Sequence, residues 1–409
     1  MMWRGHQHLV WFVVPLALGV AGCAGPAPTV NPNDTARREF ETRFLKFCDL
    51  ATAELNKELT PFLNRTNADP ATHHMPFFED AHAVRALAVA YDLTGRRVYL
   101  DACRRWADRI VEYQAKMVPA GAYYMNHQRA PGQDSGQWNV ADSGSIGMGV
   151  LATAVRCGDP AAKARYLNSV KAFAQLVMDN YVGPEGGICN GLWPAYAGEW
   201  WCSTATFGTL MFLLHGETGE EQDLKIAQDA FDWMRRQDFR KLKPITFEQR
   251  PSGIIFYCFE LYAIGLKHLK PNSPRFGRAA GEIQQALDWM AKNQKTRGAD
   301  VSSYLEKNVD MAGLPYLMYS FARQIPNLRG ITSAADGELK YIGDILLEDG
   351  DPNVSRLMTW EVMTWGMLSY AERLQPGGLE RGARTSARVA GKNSAPLENA
   401  GLPGRSRKS

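Results

Sequence analysis

Three acidic residues lie where loops lead into apolar helical segments: Asp80, Asp142 and Glu199. Hydrolysis of a glycosidic bond needs two carboxyl groups that flank one sugar, one acting as the acid and the other as base or nucleophile. These residues can supply such a pair, and we predict Asp142 with either Asp80 or Glu199. The competing interpretation is a helix cap for each aspartate and an exposed loop position for Glu199.

Aromatic, amide and basic side chains occupy the same loops and helix starts. Sugar rings stack their C–H faces on Trp and Tyr, and their hydroxyl groups bond to polar side chains. The predicted substrate-binding residues are Trp138, Tyr123, Tyr124, Asn126, His127, Trp193, Trp200, Trp201, Arg250 and Trp360. Core packing is the competing interpretation for Trp360, which lies within an apolar segment, and a structural histidine is the alternative for His127.

The same residue types leave other reactions open. A lyase or an epimerase removes the proton next to a uronate carboxylate, which needs a tyrosine or histidine base and a cation or amide to neutralise the acid. The residues of these types are Tyr123, Tyr124, Asn126, His127 and Arg250. A protein that binds glycan without turnover is a further alternative. The sequence therefore does not decide between hydrolase, lyase, epimerase and binding protein.

Charge and motifs exclude several other functions. The net charge of +3 is small for 409 residues, and much of the positive charge follows residue 380, so nucleic acid is not an expected partner. The sequence contains no phosphate-binding loop, dinucleotide fingerprint or convincing cluster of metal ligands. We therefore predict neither a cofactor nor a metal, and the expected partner is an oligosaccharide or polysaccharide.

The elements that must position these residues are helices. Apolar residues recur at helical spacing in twelve segments, which Gly, Pro, Asn and Asp turns separate. The predicted helices span 36–58, 79–94, 96–117, 141–156, 160–182, 202–216, 220–238, 252–269, 275–294, 310–325, 332–347 and 354–374. Odd-numbered segments are amphipathic, whereas even-numbered segments are apolar nearly all round, which predicts burial on every side. Even-numbered segments begin roughly every 50 to 60 residues, which indicates an internal repeat.

The fourth segment contains three glycines, Gly144, Gly147 and Gly149, although a glycine inside a helix is unfavourable by roughly 1 kcal/mol relative to alanine. Small residues let buried helices approach one another closely, which explains why the segment tolerates them. The pattern predicts an all-α ring of six inner and six outer helices over residues 36–375. A helical-repeat solenoid is the alternative, but its helices would be amphipathic throughout.

The alternation of helix types over residues 36–374, with phrases such as Ala90-Tyr-Asp-Leu-Thr-Gly95, resembles the (α/α)6 toroid or six-hairpin glycosidase-like superfamily. Its families include unsaturated glucuronyl hydrolases, N-acylglucosamine 2-epimerases, glucuronyl epimerases and several polysaccharide lyases. The resemblance implies a glycan substrate, such as an unsaturated uronyl or related oligosaccharide. Unsaturated glucuronyl hydrolases use inner-ring aspartates, so the resemblance also favours Asp142 and Asp80 as catalytic residues.

Both ends of the chain lie outside the predicted ring. Arg4 precedes an apolar run from Leu9 to Val20, which is typical of a secretory signal. The phrase Val20-Ala-Gly-Cys23 resembles a bacterial lipobox, which implies lipid attachment at Cys23 and an exported protein anchored to the cell envelope. An ordinary signal peptide is the alternative. We predict a signal peptide at 1–22, a tether at 23–35 and a disordered basic tail at 376–409.

An oxidising compartment permits disulfide bonds. Cys189 and Cys202 flank one loop and are the pair that we expect to be linked. Cys258 lies in an apolar helix, so we predict that it is a buried thiol.

Overall fold

The structure is a computed structural model that describes residues 32–59, 71–126, 138–191, 198–237, 251–294, 312–349 and 356–380. Within those ranges, twelve α-helices form the body of the protein. They are α1 (Pro32–Leu55), α2 (Phe77–Thr94), α3 (Arg97–Gln114), α4 (Val140–Ala154), α5 (Pro160–Asn180), α6 (Trp201–Thr218), α7 (Glu221–Arg235), α8 (Pro251–Gly265), α9 (Pro274–Gln294), α10 (Leu314–Gln324), α11 (Thr332–Asp344) and α12 (Arg356–Leu374). Each predicted segment coincides with one of these helices to within a few residues.

The even-numbered helices form a closed inner ring. Each packs on the next in the order α2, α4, α6, α8, α10 and α12, and α12 returns to pack on α2. The odd-numbered helices lie outside and pack against the neighbouring inner helices. The fold is therefore an (α/α)6 toroid, as the alternation of apolar and amphipathic segments predicts. The contact between α12 and α2 excludes a solenoid, because the two ends of a solenoid stay apart.

Glycines let α4 lie close to both of its neighbours in the ring. A Cβ atom at Gly144 would lie 2.8 Å from Oγ1 of Thr206 on α6. On the other side, a Cβ atom at Gly149 would lie 3.0 Å from Cα of Ala81 on α2. The predicted reason for these glycines, close approach between inner helices, is confirmed.

A buried ion pair closes the middle of the ring. Arg85 of α2 donates from Nη2 to Oε1 of Glu260 on α8 at 2.5 Å, and both side chains are 1% exposed. Helices α2 and α8 stand on opposite sides of the ring, so the pair crosses the ring axis. Since burial of either charge alone would be strongly unfavourable, the pair fixes these two helices opposite one another.

A short 3₁₀ helix, Gly378–Glu380, covers the C-terminal ends of inner helices. Arg156, which follows α4, donates to the carbonyl oxygen of Gly378 at 2.8 Å. Lys267, which follows α8, forms an ion pair with Glu380, whose side chain is fully buried. The packed body therefore continues beyond residue 375, where the predicted ring ends.

Two short strands, which no alternating apolar pattern predicts, lie beside the start of α2. They are β1 (Glu58–Leu59) and β2 (Thr72–His73), and they pair in parallel. Their pairing brings the side chain of His73 against α2.

The expected disulfide between Cys189 and Cys202 does not form. Both residues carry thiols: Cys189 is partly exposed where its backbone pairs with Glu199, and Cys202 is buried in the first turn of α6. Cys258 is a fully buried thiol, as predicted, and burial raises its pKa.

The predicted signal peptide at 1–22, the lipid attachment site at Cys23 and residues 381–409 of the basic tail lie outside the described residues. Helix α1 begins at Pro32, within the predicted tether of 23–35. Among the described helices, none is both long and apolar enough to cross a membrane.

We expect Gly144→Ala to lower the free energy of unfolding by about 1–3 kcal/mol, because the added methyl group meets Cβ and the backbone of Thr206. Gly147→Ala is the matched control, since the atom closest to its methyl group is a flexible side-chain end, that of Leu210, at 2.9 Å. Urea titration of both variants measures the difference. Equal loss of stability in the two would contradict backbone approach as the reason for Gly144.

A chain that ends at Gln375 should be less stable than one that ends at Glu380, by about 1–3 kcal/mol. The shorter chain loses the carbonyl of Gly378 and the carboxylate of Glu380, which bond to Arg156 and Lys267. Thermal unfolding followed by circular dichroism compares the two. Identical unfolding midpoints would show that the 3₁₀ helix does not stabilise the ring.

Candidate active site

All six inner helices begin on one face of the ring, which we call the mouth. Gly144 and Gly147 of α4 contact Thr206 and Leu210 of α6 in the same order along both chains, so these neighbours run in parallel. The outer helices return the chain between successive inner helices and preserve this direction around the ring. Unpaired backbone N–H groups and the partial positive charge of helix N-termini therefore collect at the mouth.

Asp142 is the third residue of α4 and lies at the mouth. Asn139 caps the helix, because its Oδ1 accepts from the backbone N–H of Asp142 at 2.8 Å. The Nδ2 of Asn139 also donates to Oδ2 of Asp142 at 3.2 Å. The aspartate is thus not the cap itself, and its side chain is partly exposed. Its carboxylate can therefore meet a ligand at the mouth.

Asp80, in the first turn of α2, is fully buried, and both of its carboxylate oxygens accept hydrogen bonds. Oδ2 accepts from Nε2 of His73 at 2.8 Å and from the indole N–H of Trp106 at 3.1 Å. Oδ1 accepts from the indole N–H of Trp360 at 3.0 Å. These donors belong to β2, the outer helix α3 and the inner helix α12. Asp80 therefore joins three elements of the fold and is not exposed to a ligand.

His73 links Asp80 to a second carboxylate, because its Nδ1 donates to Oε1 of Glu54 at 3.0 Å. Burial alone would lower the pKa of His73, but attraction to Asp80 and Glu54 outweighs burial and raises the pKa to about 9. At neutral pH the charged imidazolium therefore holds the two carboxylates together. Although these are ligand-type side chains, the described residues include no group of three or more that could hold a metal ion.

Glu199 lies on the outer side of the ring. Its Oε1 accepts from the backbone N–H of Glu185 at 2.6 Å, and its Oε2 accepts from the indole N–H of Trp233 on α7. Glu199 therefore fastens a surface turn to an outer helix. The contacts that the structure describes do not bring it together with Asp80 or Asp142.

Several of the predicted sugar-binding residues are packed inside the protein. Five of them are no more than 4% exposed: Trp138, Tyr123, Tyr124, Asn126 and Trp360. Trp138 lies beneath Gly191, where a Cβ atom would come within 2.8 Å of the indole. Tyr123 forms a hydrogen bond with Ser169 at 2.9 Å. These side chains shape the loops and helices around the mouth and do not line its surface.

Two of the predicted aromatic residues are partly exposed at the start of α6. Trp200 is the N-cap residue of this helix, and Trp201 packs edge-to-face against Trp233, with 6.5 Å between ring centroids. The remaining predicted site residues, His127, Trp193 and Arg250, lie outside the described residues.

The predicted site residues do not include a group of side chains that pack between α2, α8 and α12, within about the first three turns of these helices. We call this group the axial cluster, and it consists of Glu79, His82, Phe256, Tyr257, Thr364 and Trp365. Thr364 of α12 donates to Oε2 of Glu79 on α2 at 3.3 Å. Glu79 and His82 are three residues apart and therefore share one face of α2, which is the sequence signal that points to them.

The sequence matches no protein-family model and no curated protein, but the fold matches solved structures. An unsaturated glucuronyl hydrolase specific for heparin matches with a TM-score of 0.56 and 12% identity, over 84% of this chain and 98% of that one. A glycoside hydrolase family 76 mannosidase from Bacteroides thetaiotaomicron matches with a TM-score of 0.51 and 12% identity, over 82% of this chain and 99% of that one. A family 76 glycoside hydrolase from a bovine strain of the same species matches with a TM-score of 0.51 and 13% identity, over 82% of this chain and 77% of that one. At these identities the likeness shows the (α/α)6 fold alone.

Because His73 is charged in the folded protein, the free energy of unfolding should depend on pH. Folding raises the pKa of His73 from 6.5 to about 9. The stabilisation that this charged imidazole gives the fold is therefore complete below pH 6.5 and is lost as the pH rises through 9. A shift of this size corresponds to about 3 kcal/mol. We expect His73→Gln to remove this decline when the free energy of unfolding is measured between about pH 6 and pH 10.

His215→Gln is the control for this measurement, because it leaves His73 and Asp80 in place. This variant should keep the decline in stability. If His73→Gln and the wild-type protein lose stability in parallel above pH 7, the charged pair does not stabilise the fold.

Proposed function

We propose that the protein hydrolyses a glycan at the mouth of the ring, with Asp142 as a catalytic carboxylate. The observation that carries this proposal is the partly exposed carboxylate of Asp142 at the N-terminus of an inner helix, in a fold shared with glycoside hydrolases. Asp80 and Glu199 have different surroundings, because both bond to indole N–H groups within the protein. We infer that these two residues support the fold and do not react with substrate.

The surroundings of Asp142 suit it to act as a base or nucleophile. Asn139 donates to its carboxylate, and the N-terminus of α4 lies beside it, so both stabilise the ionised form. Hydrolysis needs a second carboxyl group that keeps its proton. Glu79 of α2 and Glu361 of α12 are acidic residues of the inner ring, and each is 3% exposed. The proposal gives the acid role to one of these two glutamates.

Elimination or epimerisation has less support. The tyrosines that would act as bases lie in the packed core, where Tyr123 is fully buried and burial raises its pKa. Tyr124 packs edge-on against Phe77 and Tyr113, at 5.8 and 5.5 Å between ring centroids. A buried phenol that holds its proton is a poor base at neutral pH.

We also propose that the protein is exported and lipid-anchored at Cys23. This part of the proposal rests on the pattern of the first 23 residues of the sequence.

The test is hydrolysis of a panel of oligosaccharides by the purified protein, read as release of reducing ends and as change in unsaturated-uronate absorbance. Asp142→Asn should lower the rate by about 10²–10⁴-fold, because a positioned acid–base group contributes on that order. Asp229→Asn on the outer helix α7 is the matched control, since that carboxylate pairs with Lys225 at 2.6 Å. It should retain full activity.

Wild-type activity in Asp142→Asn would refute the role of Asp142. Glycan binding without turnover of any sugar in the panel would identify a binding protein instead of a hydrolase. Growth of unsaturated-uronate absorbance would identify a lyase.

A further inference from the structure

The chain enters and leaves the described body at the base of the ring, the face opposite the mouth, where the inner helices end. Near the start of α1, Nη2 of Arg37 donates to the carbonyl oxygen of Leu374, the last residue of α12, at 3.2 Å. Pro32 precedes Arg37 by five residues, so α1 begins about 7 Å further from the mouth. The other end of the body, Glu380, forms an ion pair with Lys267, which follows α8.

Exposed arginines gather along one side of the base. They lie in the first two turns of the outer helices α1, α3 and α9, or just before α11, and these four helices follow one another around the ring: Arg37, Arg38, Arg97, Arg278 and Arg329. Among the described residues, none of the five forms an ion pair. The partly exposed Asp101 and Glu41 reduce this positive charge but do not cancel it. We call these five residues the basic sector.

The opposite side of the base has a different charge. Lys163 and Lys171 of α5 form ion pairs with Glu217 and Glu220, which lie at the junction of α6 and α7. Glu221, the first residue of α7, is an exposed acid. Positive charge at the base is thus concentrated on the side that includes α1, where the chain enters the body.

The length of chain before α1 limits how the body can lie against a membrane. Cys23, the proposed site of the lipid, precedes Pro32 by nine residues, and nine residues span at most about 30 Å. The inner helix α2 has 18 residues, so the mouth lies about 27 Å above the base and about 34 Å from the start of α1. A lipid on Cys23 therefore holds the base, and not the mouth, next to the bilayer.

Arginine is well suited to the surface that the base would then face. A guanidinium group can donate two parallel hydrogen bonds to a phosphate group, and anionic lipids attract basic side chains that lie close to the bilayer. The side chains of the basic sector have no acidic partner among the described residues, so they are available to such headgroups.

We propose that the base of the ring is a membrane-docking face, whose basic sector binds anionic lipid headgroups while the mouth points away from the bilayer. The inference rests on the lipid anchor given under the proposed function. It goes beyond that anchor by assigning a second contact with the membrane and an orientation to the active site.

The first test measures the charge contact without the lipid. The probe is a vesicle of phosphatidylcholine, with or without about 30% phosphatidylglycerol, and the protein is the chain from residue 23 with Cys23→Ala. Sedimentation at low salt should show tighter binding to the anionic vesicles, and salt should weaken it. Arg38→Gln combined with Arg329→Gln should lower that affinity about tenfold or more, because each basic side chain near an anionic surface contributes to binding.

The matched control removes two positive charges from the mouth side of the body. Lys116→Gln combined with Arg236→Gln changes exposed residues just after the ends of α3 and α7, so it should bind the vesicles as the parent chain does. All of these proteins keep residues 381–409, so any binding by that basic segment cancels in the comparison. Equal loss in the two double variants, no loss in either, or equal binding to both kinds of vesicle would overturn the basic sector.

The second test measures orientation in the lipidated protein on vesicles. A dye is placed at one end of α5, through Ala161→Cys at the base or Asp179→Cys at the mouth, in a Cys189→Ser background that removes the partly exposed thiol. These ends are about 27 Å apart. Energy transfer to an acceptor on the lipid headgroups should be stronger from position 161. Equal transfer, or stronger transfer from position 179, would overturn the orientation.

These results separate the docking face from the rest of the proposed function. Absence of lipid on Cys23 by mass spectrometry would refute the anchor and the orientation that depends on it. Hydrolysis of soluble oligosaccharides should be unchanged in the Arg38→Gln and Arg329→Gln double variant, since both residues lie at the opposite face from Asp142. Loss of that hydrolysis would show that the variant affects more than docking and would overturn the assignment.

Discussion

The ring closes where its first and last inner helices meet, and this closure depends on the buried carboxylate of Asp80. One of its oxygens bonds to the indole of Trp360, 280 positions further along the chain. The other oxygen bonds to His73 and to Trp106 of the outer layer. A buried carboxylate is strongly unfavourable without its donors, so β2, α3 and α12 must all be in place around α2. This arrangement also fixes the rotation of α2 about its own axis, which turns Glu79 and His82 towards the centre of the ring.

The architecture could be predicted from the sequence because the patterns that determine it are local. Helical spacing of apolar residues defines each helix, and the apolar or amphipathic character of a segment shows whether it lies in the inner or the outer layer. The three glycines of α4 indicate close helix contacts, which Gly144 and Gly149 make with Thr206 and Ala81. The ion pair of Arg85 with Glu260 could not be predicted in this way, because its partners are 175 positions apart and no short pattern connects them.

The roles of individual site residues are not local properties, and the sequence was a weaker guide to them. Asp80 and Asp142 both lie in the first turn of an inner helix, yet distant donors bury one and leave the other partly exposed. The surroundings of Glu199 are set by Trp233 of an outer helix. Likewise Trp138 is core because Gly191 closes over it, a contact between two separate loops. Residue type and spacing can nominate such side chains, but only the packed ring decides which of them meet a ligand.

Two of the buried polar residues of α2, Asp80 and Arg85, help to close the centre of the ring. Asp80 of α2 accepts a hydrogen bond from Trp360 of α12 and so holds these two helices together. The ion pair of Arg85 with Glu260 occupies the ring axis below the mouth. At the opposite face, the 3₁₀ helix Gly378–Glu380 covers the base of the ring. The described part of the toroid is thus closed at its centre, and a polymer cannot thread through it.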